Sequence, residues 1–351
     1  MTPSAPLAQA IRHSALAAGF DQCGIVPLEA FAGYRDALAR NSEAFPASGP
    51  LYAHLARLTD HSATPWARAV VVSTYRYSRY RLPEGLERHI ARYYLLDWHN
   101  RPETDGYKAV RRLEEALDRL GVRHAREDIF SIAPARMAAQ LAGLGRIRRN
   151  NFFYNDAGSW VWLETWLIDQ PLQTAAPAGD LPPPCPPDCR ACQDACPTRA
   201  LRAPYRTDMA LCATRLAYSA RDYDSPGLRD LMGTWVYGCD ACQSACPMNT
   251  QPWNQGAASE NAALENLKRD LGLEALATLG DGDFRARLQP IFRFIAPDNG
   301  WVLRSNALRA MGNSGDGRYA PTVARLVGDA DPRVAEMARW ALEKLQNAPH
   351  P

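Results

Sequence analysis

The cysteines of this chain are its clearest candidates for chemistry. Eight of the nine lie between Cys185 and Cys246. They form two runs, each ending in a cysteine followed by proline, with one cysteine between the runs. The first run is Cys185, Cys189, Cys192 and Cys196, the second is Cys239, Cys242 and Cys246, and the single residue is Cys212. This grouping favours metal ligation over a disulfide framework, which is typical of small secreted domains.

The spacing within the two runs is typical of 4Fe–4S clusters. Two-residue gaps let a looped chain wrap a cubane, and the cysteine before proline reaches a second cluster, as in two-cluster ferredoxins. We therefore predict two clusters, each drawing ligands from both runs. One takes Cys185, Cys189, Cys192 and Cys246, and the other takes Cys196, Cys212, Cys239 and Cys242. A pair of structural zinc sites is the alternative, because four thiolates also hold zinc.

The spacing at Cys185 departs from the usual bacterial pattern. Three residues instead of two separate it from Cys189, which leaves its role as a ligand open. Two neighbouring clusters would pass electrons from one to the other. A ferredoxin without further domains would not need the long segments on both sides of the cysteines. We therefore expect the flanking segments to hold the group that receives the electrons, and an external low-potential donor to supply them.

The composition excludes several classes of protein. The 351 residues are 46% hydrophobic and 22% charged, which is typical of a folded chain. The formal net charge of +2 excludes a strongly basic polyelectrolyte binder but allows a local basic patch. No run of about 18 apolar residues could cross a membrane, and the first residues lack the features of a secretory signal. We expect a cytoplasmic protein with no membrane partner, in keeping with oxygen-sensitive clusters.

Hydrophobic patterns in the flanking segments predict helices and strands. Before the cysteines we expect helices over 5–19 and 107–120, ended by Gly19 and Gly121, and strands over 69–74 and 159–168. After them we expect helices over 299–311, 319–327 and 332–345, with Gly312 ending the first and Asp331 capping the last. The pattern resembles a HEAT-type pair, and a small helical cap is the alternative. The prediction is an α+β protein with three domains. These are an α/β domain at 1–174, a two-cluster ferredoxin domain at 175–255 and a helical HEAT-like domain at 256–351.

The segment from Cys185 to Asn249 resembles the cobalamin-dependent epoxyqueuosine reductases, which are relatives of the reductive dehalogenases. The resemblance rests on C-x2-C-x3-C-P-T from Cys189, on the lone Cys212, and on Y-G-C-D-x-C-Q-x2-C-P-x-N from Tyr237. Weaker matches follow in the order of the family. They are A-R-Y at 91–93 with D-W-H at 97–99, A-G-L-G at 142–145 with Asn150, and Arg304, Asn306, Ala307, Gly312 and Asn313 near the end of the chain.

The resemblance implies a redox enzyme with two 4Fe–4S clusters and cobalamin. Such proteins hold cobalamin between an α/β domain and the double-cluster domain, and the clusters deliver electrons to the cobalt one at a time. A side chain donates a proton as the C–O bond breaks, and the protein orients the reactants and excludes water. The implied cobalamin contacts are Arg92, Tyr93, Gly143, Gly145, Arg146, Arg148 and Asn150.

The family's catalytic aspartate has no counterpart in this chain. Within the family's D-[ST]-x-P-x-x-E segment, Pro134 is kept but Ser131 replaces the aspartate. A serine cannot supply a proton as a tuned aspartic acid can, so we expect weak or no turnover of epoxyqueuosine. The candidate catalytic residues are Asp97, His99, Tyr75 and Ser131. A helix cap is the alternative role for Asp97, and a hydrogen-bonded structural histidine is the alternative for His99.

The distribution of basic residues indicates whether the chain could bind an anionic partner such as tRNA. Residues 134–151 contain four arginines and no acid, which predicts either a patch facing an anion or a solvated surface. They are Arg136, Arg146, Arg148 and Arg149. From Gly256 onward, twelve basic residues balance twelve acidic ones, whereas phosphate-backbone binding favours an excess of positive charge. The tail therefore does not favour the tRNA partner that the resemblance implies.

Four functions stay open at this point, and one of them is an RNA-binding remnant without catalysis. The main prediction is a reductase that removes an epoxide oxygen in the queuosine modification of tRNA. The second is a related reductase that uses the same clusters and cobalamin on a small organic substrate. It would fit the missing aspartate and the balanced charge of the segment from Gly256 onward. The third is a non-catalytic electron-transfer module that keeps a corrinoid protein reduced.

Overall fold

The computed structural model describes residues 4–82, 85–95, 101–127, 131–174, 181–218, 226–249 and 262–347. The described strands are β1 Gln22–Pro27, β2 Ala69–Arg76, β3 His124–Ala125, β4 Arg146–Ile147, β5 Phe153–Tyr154, β6 Val161–Ile168, β7 Leu201–Ala203 and β8 Arg206–Thr207. The main sheet has four of them in the order β1-β2-β6-β3, and all three pairings are antiparallel. Two short hairpins, β4-β5 and β7-β8, lie outside this sheet.

The centre of the sheet forms where the sequence is most apolar. β2 and β6 pair over their full length, with Val71 opposite Trp166. The β-branched run from Val70 to Val72 is buried on both faces of the sheet, as a central strand requires. Helices cover both faces, and the strands predicted over 69–74 and 159–168 are confirmed to within two residues at each end. The result is a mixed α/β layer in which the described strands pair antiparallel.

The helices of the first half end where the glycines indicate. The helix that begins at Ser4 ends before Gly19, and the helix that begins at Asp105 ends before Gly121; both glycines have positive φ. The α-helices are α1 Ser4–Ala18, α2 Tyr34–Ala44, α3 Gly49–Ala56, α4 Arg92–Leu95, α5 Asp105–Arg119 and α6 Ala135–Leu141, and the 3-10 turns are Leu28–Phe31, Pro46–Ser48, Arg57–Thr59 and Leu86–Arg88. α1 and α5 pack on one face of the sheet and α6 packs on the other.

The described part of the cysteine segment contains only short elements. Besides the hairpin β7-β8 they are α7 Ala191–Asp194, α8 Ala213–Leu216, α9 Pro226–Leu231, α10 Ala241–Ser244 and the 3-10 turn Pro247–Asn249. α7 contains Cys192 and α10 contains Cys242, at equivalent places in the two runs, and the two helices contact each other. With so little regular structure of its own, this segment depends on the flanking parts of the chain for its position.

The last part of the chain is helical, as predicted. Its helices are α11 Ala262–Asp270, α12 Leu273–Ala277, α13 Asp281–Asp283, α14 Gly300–Ser314, α15 Ala320–Leu326 and α16 Pro332–Gln346, with a π-helical turn at Phe284–Leu288 and a 3-10 turn at Gly317–Tyr319. Asp331 caps α16 by accepting a hydrogen bond from the Arg333 amide, as the sequence indicated. The prediction that Gly312 ends α14 is wrong, because the helix continues to Ser314 and a Cβ on Gly312 would lie 2.9 Å from the Ala341 Cα.

One hydrophobic cluster joins all three parts of the chain. It runs from Ile11 in α1 through Tyr237 beside the second cysteine run to Leu345 in α16. The predicted domain boundaries therefore stay a prediction. None of the described helices is both long and apolar enough to cross a membrane.

Candidate iron–sulfur site

The structure gathers the eight cysteines into two groups of four. In the first group, Cys192 interacts electrostatically with Cys246, Cys185 and Cys189. In the second, Cys242 interacts with Cys239, Cys212 and Cys196. These are the sets of four that the spacing indicates, and each draws on both runs. Cys185, whose spacing is unusual, lies with its predicted group, while its role as a ligand stays a prediction.

Burial raises the pKa of thiols in each group. Burial, followed by the charges of the three neighbouring thiols, raises the pKa of Cys192 to about 11. In the second group, burial is also the largest cause of the raised pKa of Cys212, Cys239 and Cys242. Thiolates packed this closely are stable only beside a cationic centre, so the donor set fits iron.

The arrangement also bears on the zinc alternative. Among the described residues, no set of three or more His, Cys, Asp or Glu is placed so that it could hold one metal ion. Zinc–sulfur bonds of about 2.3 Å would bring four tetrahedral sulfurs to within about 4 Å of each other. A cubane spaces its four cysteine sulfurs more widely, since each binds a different iron. The two groups therefore fit cubanes better than zinc ions.

A polar network connects the second cysteine run to the N-terminal sheet. Asp240 follows Cys239 and is 1% exposed; its carboxylate accepts hydrogen bonds from the Arg92 amide at 2.8 Å and the Arg92 guanidinium at 3.2 Å. Burial raises the pKa of Asp240, while the charge and hydrogen bonds of Arg92 lower it. The Gln243 amide nitrogen donates to the other carboxylate oxygen at 3.3 Å. This pair anchors α4 against the cysteine run.

Asn249 continues this network at the end of the second run. Its side-chain oxygen accepts from the Ser159 amide at 2.7 Å, and its amide nitrogen donates to the Ser159 hydroxyl at 2.7 Å and the Gln243 carbonyl at 2.9 Å. The Ser159 hydroxyl also donates to the Gln243 side chain at 2.8 Å. The positions of Asp240, Gln243 and Asn249 within the motif were the only sequence signal for this network, and no signal indicated Ser159.

The arginine-rich loop contacts the first cysteine run. We call residues 146–154, which form β4, a turn and β5, the arginine hairpin. Arg146 Nε donates to the Pro182 carbonyl at 3.0 Å. Arg148 Nη1 donates to Cys185 Sγ at 3.6 Å, and Arg149 Nη1 donates to the Cys189 carbonyl at 2.7 Å. These arginines therefore have protein partners, which neither the anion-binding nor the solvated interpretation anticipated, and cobalamin contacts for them stay a prediction.

The rest of the arginine hairpin fixes its position against the second run. Asn150 donates to the Tyr154 hydroxyl at 2.8 Å and to the Cys242 carbonyl at 3.2 Å. Gly145, just before the hairpin, packs so tightly that a Cβ would lie 2.2 Å from the Tyr154 carbonyl oxygen. Arg136, the fourth arginine of the basic stretch, donates to the Asn151 carbonyl. Gly145 and Asn150 thus have clear structural roles.

Of the four candidate catalytic residues, the structure describes Tyr75 and Ser131. Asp97 and His99 lie outside the described residues. Tyr75 is buried in the core, where its hydroxyl lies 3.0 Å from that of Tyr80 and its ring stacks on Trp162 at 5.5 Å. Burial raises the pKa of Tyr75, so the phenol keeps its proton at neutral pH. The cleft that it lines has room for about one water molecule.

The remaining candidates lie near α6 and α4. Ser131 is half-buried in the loop before α6, and Gly143 ends that helix with φ of +72°. Tyr93 is half-buried in α4, and its ring lies edge-on to Trp162 at 6.1 Å. The catalytic and cobalamin-binding roles of these residues stay predictions.

The helix α14 positions the segment that leads to the second cysteine run. Arg309 is completely buried and donates to the Gly233 carbonyl at 2.7 Å and to the Trp235 carbonyl. Asn306 donates to the Ala217 and Val236 carbonyls, both at 2.9 Å. Asn313 donates to the Arg229 and Gly233 carbonyls at 2.8 and 2.9 Å. Sequence reasoning assigned no such role to these residues, although Asn306 and Asn313 belong to a quoted motif.

The two groups of cysteines in a mixed α/β chain define the class: an iron–sulfur redox protein. In agreement, residues 185–249 match the 4Fe-4S double cluster binding domain. An epoxyqueuosine reductase of Gloeobacter violaceus is 31% identical over 324 residues, which cover 89% of this chain and 98% of the relative. That of Alicycliphilus denitrificans is 31% identical over 259 residues, which cover 70% of this chain and 68% of the relative. The chain belongs to the epoxyqueuosine reductase family, which is a family of oxidoreductases.

Other comparisons agree with this membership. An epoxyqueuosine reductase of Synechococcus is 34% identical over 179 residues, so the match spans about half of either protein. The epoxyqueuosine reductase of Bacillus subtilis has the same fold, with a TM-score of 0.75 at 22% identity over 97% of this chain and 91% of that one. Another epoxyqueuosine reductase, crystallised with a modified tRNA stem loop, has a TM-score of 0.74 at 20% identity with the same coverage. The solved structures thus share the fold.

Proposed function

We propose that this chain catalyses the reductive removal of an epoxide oxygen, with electrons passed through two 4Fe–4S clusters. The reaction breaks both C–O bonds of the epoxide, forms a carbon–carbon double bond and releases the oxygen as water. It consumes two electrons and two protons. The electrons come from an external low-potential donor, and each cluster carries one at a time. The proposed cluster ligands are the two groups of four cysteines described above.

One observation carries this proposal. The two cysteine groups each combine residues from both runs, within a segment that matches a double-cluster domain, on a chain that is related to an epoxyqueuosine reductase along 324 residues. The polar network around Asp240 and the contacts of α14 support it, because they fix the second run against both flanking parts of the chain.

Cobalamin belongs to the proposal only through the family resemblance. Of its predicted contacts, Arg92 pairs with Asp240, Arg148 contacts Cys185, and Asn150 binds the Cys242 carbonyl. The described residues thus show no set of free donors around a corrin, and Asp97 and His99 lie outside them. Corrin uptake by the purified protein is therefore a separate measurement from cluster content.

We propose tRNA as the carrier of the substrate, in line with the relative that was crystallised with a tRNA stem loop. A small organic substrate is the second candidate. It is favoured by Ser131, which lacks the acidity of a carboxyl group, and by the balance of charges in the C-terminal helices. Assaying an epoxyqueuosine-containing tRNA and the free epoxyqueuosine base separately, with product detection by mass spectrometry, distinguishes the two.

The first test is the iron content of protein purified without oxygen. Two cubanes predict about eight iron atoms per chain and a brown colour that bleaches on reduction. Cys246→Ser should lose about half of the iron, because Cys246 belongs to one group only. Cys23→Ser is the matched control, since Cys23 is buried in β1 away from both groups and should keep all of the iron. Zinc in place of iron, or a colourless protein, would refute the proposal.

The second test is turnover. With clusters and added cobalamin, the protein should convert the epoxide to the alkene in one of the two assays above. Full cluster content, corrin uptake and turnover of neither substrate would favour a non-catalytic electron carrier instead.

A further inference from the structure

The two cysteine groups have different charged neighbours. The first faces the arginine hairpin, which places two guanidinium groups against the run from Cys185 to Cys189. The second has Asp240 beside Cys239, and Arg92 pairs with this carboxylate. Guanidinium groups beside one cluster and a balanced charge pair beside the other should give two otherwise equal clusters different reduction potentials.

Arg148 is the residue that contacts a sulfur directly. The residue is 3% exposed, and its guanidinium is fixed from three sides. Nη1 donates to Cys185 Sγ at 3.6 Å, Nη2 donates to the Pro183 carbonyl, and the group lies 5.3 Å from the centre of the Tyr154 ring. A buried guanidinium held this way keeps its charge and orientation whatever the state of the cluster.

The neighbours of Arg148 extend these contacts to the rest of the first group. Arg149 donates to the Cys189 carbonyl at 2.7 Å and to the Pro187 carbonyl at 2.6 Å. Tyr154 interacts electrostatically with Cys246. The arginine hairpin therefore touches three of the four cysteines of this group through side chains or backbone, and it holds the segment that contains the extra residue between Cys185 and Cys189.

We propose that Arg148 is a positioning residue that presents Cys185 as a cluster ligand and raises the reduction potential of the first cluster above that of the second. The inference rests on the proposed function, because it requires that both clusters form. Its physical basis is general. Reduction adds one negative charge to a cluster, so a hydrogen bond to a ligand sulfur and a nearby cation stabilise the reduced state.

The contrast with the second group sets the direction. Arg92 pairs with Asp240 beside Cys239, so these neighbours add no net positive charge to the second group and do not favour its reduced state. An electron that enters the pair should therefore settle on the first cluster. The proposal assigns the arginine hairpin a redox role that is independent of any ligand bound elsewhere.

The experiment is a redox titration of the reconstituted protein, followed by electron spin resonance. The wild type should show two one-electron steps. Arg148→Met removes both the charge and the hydrogen-bond donor. It should lower the potential of the higher-potential step by about 59 mV, which is a tenfold shift of the equilibrium toward the oxidised form. The lower-potential step should not move. Arg148→Lys keeps the charge but not the fork of donors, and it should lie between Arg148→Met and the wild type.

Arg190→Met is the matched control. Arg190 follows Cys189 directly, but its side chain is 67% exposed and pairs with Asp194 at 3.5 Å. Removing this screened charge should leave both steps in place. An equal shift in Arg190→Met and Arg148→Met would refute the role of the sulfur contact, and so would an Arg148→Met variant that titrates as the wild type.

Two further outcomes separate this inference from the proposed function. A wild-type protein without two iron–sulfur steps would contradict the proposed function itself. If Arg148→Met loses half of its iron, its first cluster has not formed, and the potential is measured in Arg148→Lys instead. A first-cluster potential in Arg148→Lys below that of the wild type supports the redox role of Arg148. An equal potential refutes it.

Discussion

The two cysteine groups are held mainly by different kinds of contact, although the arginine hairpin reaches both, since its Asn150 donates to the Cys242 carbonyl. The first is reached by charged side chains of the arginine hairpin, which lies in the N-terminal half. The second is approached by the Arg92–Asp240 pair and, through the segment before Cys239, by the carbonyl contacts of α14. Changes near the first group should therefore affect mainly redox properties, whereas changes near the second should affect mainly stability.

The largest effect is expected at Gly238, between α4 and the second run. Its φ is +72°, and a Cβ would lie 2.6 Å from both the Ala91 Cβ and the Tyr94 ring. Gly238→Ala should lower the free energy of unfolding by about 4 kcal/mol, combining backbone strain with overpacking. Gly233→Ala is the matched control, because Gly233 also has positive φ, +54°, but open space around it. In denaturant unfolding, Gly233→Ala should lower the free energy of unfolding by about 1 kcal/mol. Equal losses in Gly233→Ala and Gly238→Ala would contradict the steric argument.

A slightly smaller loss is expected when Asp240 loses its partner. Arg92→Met should leave a buried carboxylate without its cation and destabilise the fold by about 3 kcal/mol. Adding Asp240→Asn to Arg92→Met removes the buried charge and should recover most of the loss. The measurement is denaturant unfolding of the single and double variants. If the double variant is no more stable than Arg92→Met alone, the charge pair is not what holds α4 to the second run.

The carbonyl contacts of α14 predict a loss of about 2 to 3 kcal/mol. Arg309→Met fills a similar volume but leaves the Gly233 and Trp235 carbonyls without their donor. Its thermal unfolding temperature should fall, and iron bound by the second group should fall with it. Arg285→Met is the control in the same helical region, since Arg285 is 50% exposed and pairs only with the exposed Asp298 among the contacts shown. Similar losses in both variants would argue against the carbonyl contacts.

Much of this arrangement could be predicted from local sequence. The strands around β2 and the helices that end at Gly19 and Gly121 follow from periodicity and from the stop signals of glycine. The two sets of cysteines follow from ligand spacing, because a cubane constrains its own ligands. The family resemblance identified the redox class before any contact was known.

The predictions that failed share a physical cause: the contacts involved join residues that are far apart in the sequence. Arg148 carries a charge that could face an anion or water, and only the folded chain brings Cys185 to it. Gly312 has the composition of a helix stop, but it is required for the close approach of α16. Tyr75 has an acidic proton in principle, yet the sheet buries it against Tyr80.

The smallest effect concerns Cys23, the cysteine outside both groups. It is buried in β1, and burial raises its pKa to about 11 from an unfolded value near 9. The folded state thus keeps the thiol proton more tightly, so its contribution is complete below pH 9 and is lost as the pH rises toward 11. At pH 10 the free energy of unfolding should be about 1 kcal/mol lower than at pH 7, where both states keep the thiol proton. Stability measured from pH 8 to 11 should therefore fall less steeply for Cys23→Ala than for the wild type, and parallel curves would show that this thiol does not titrate with unfolding.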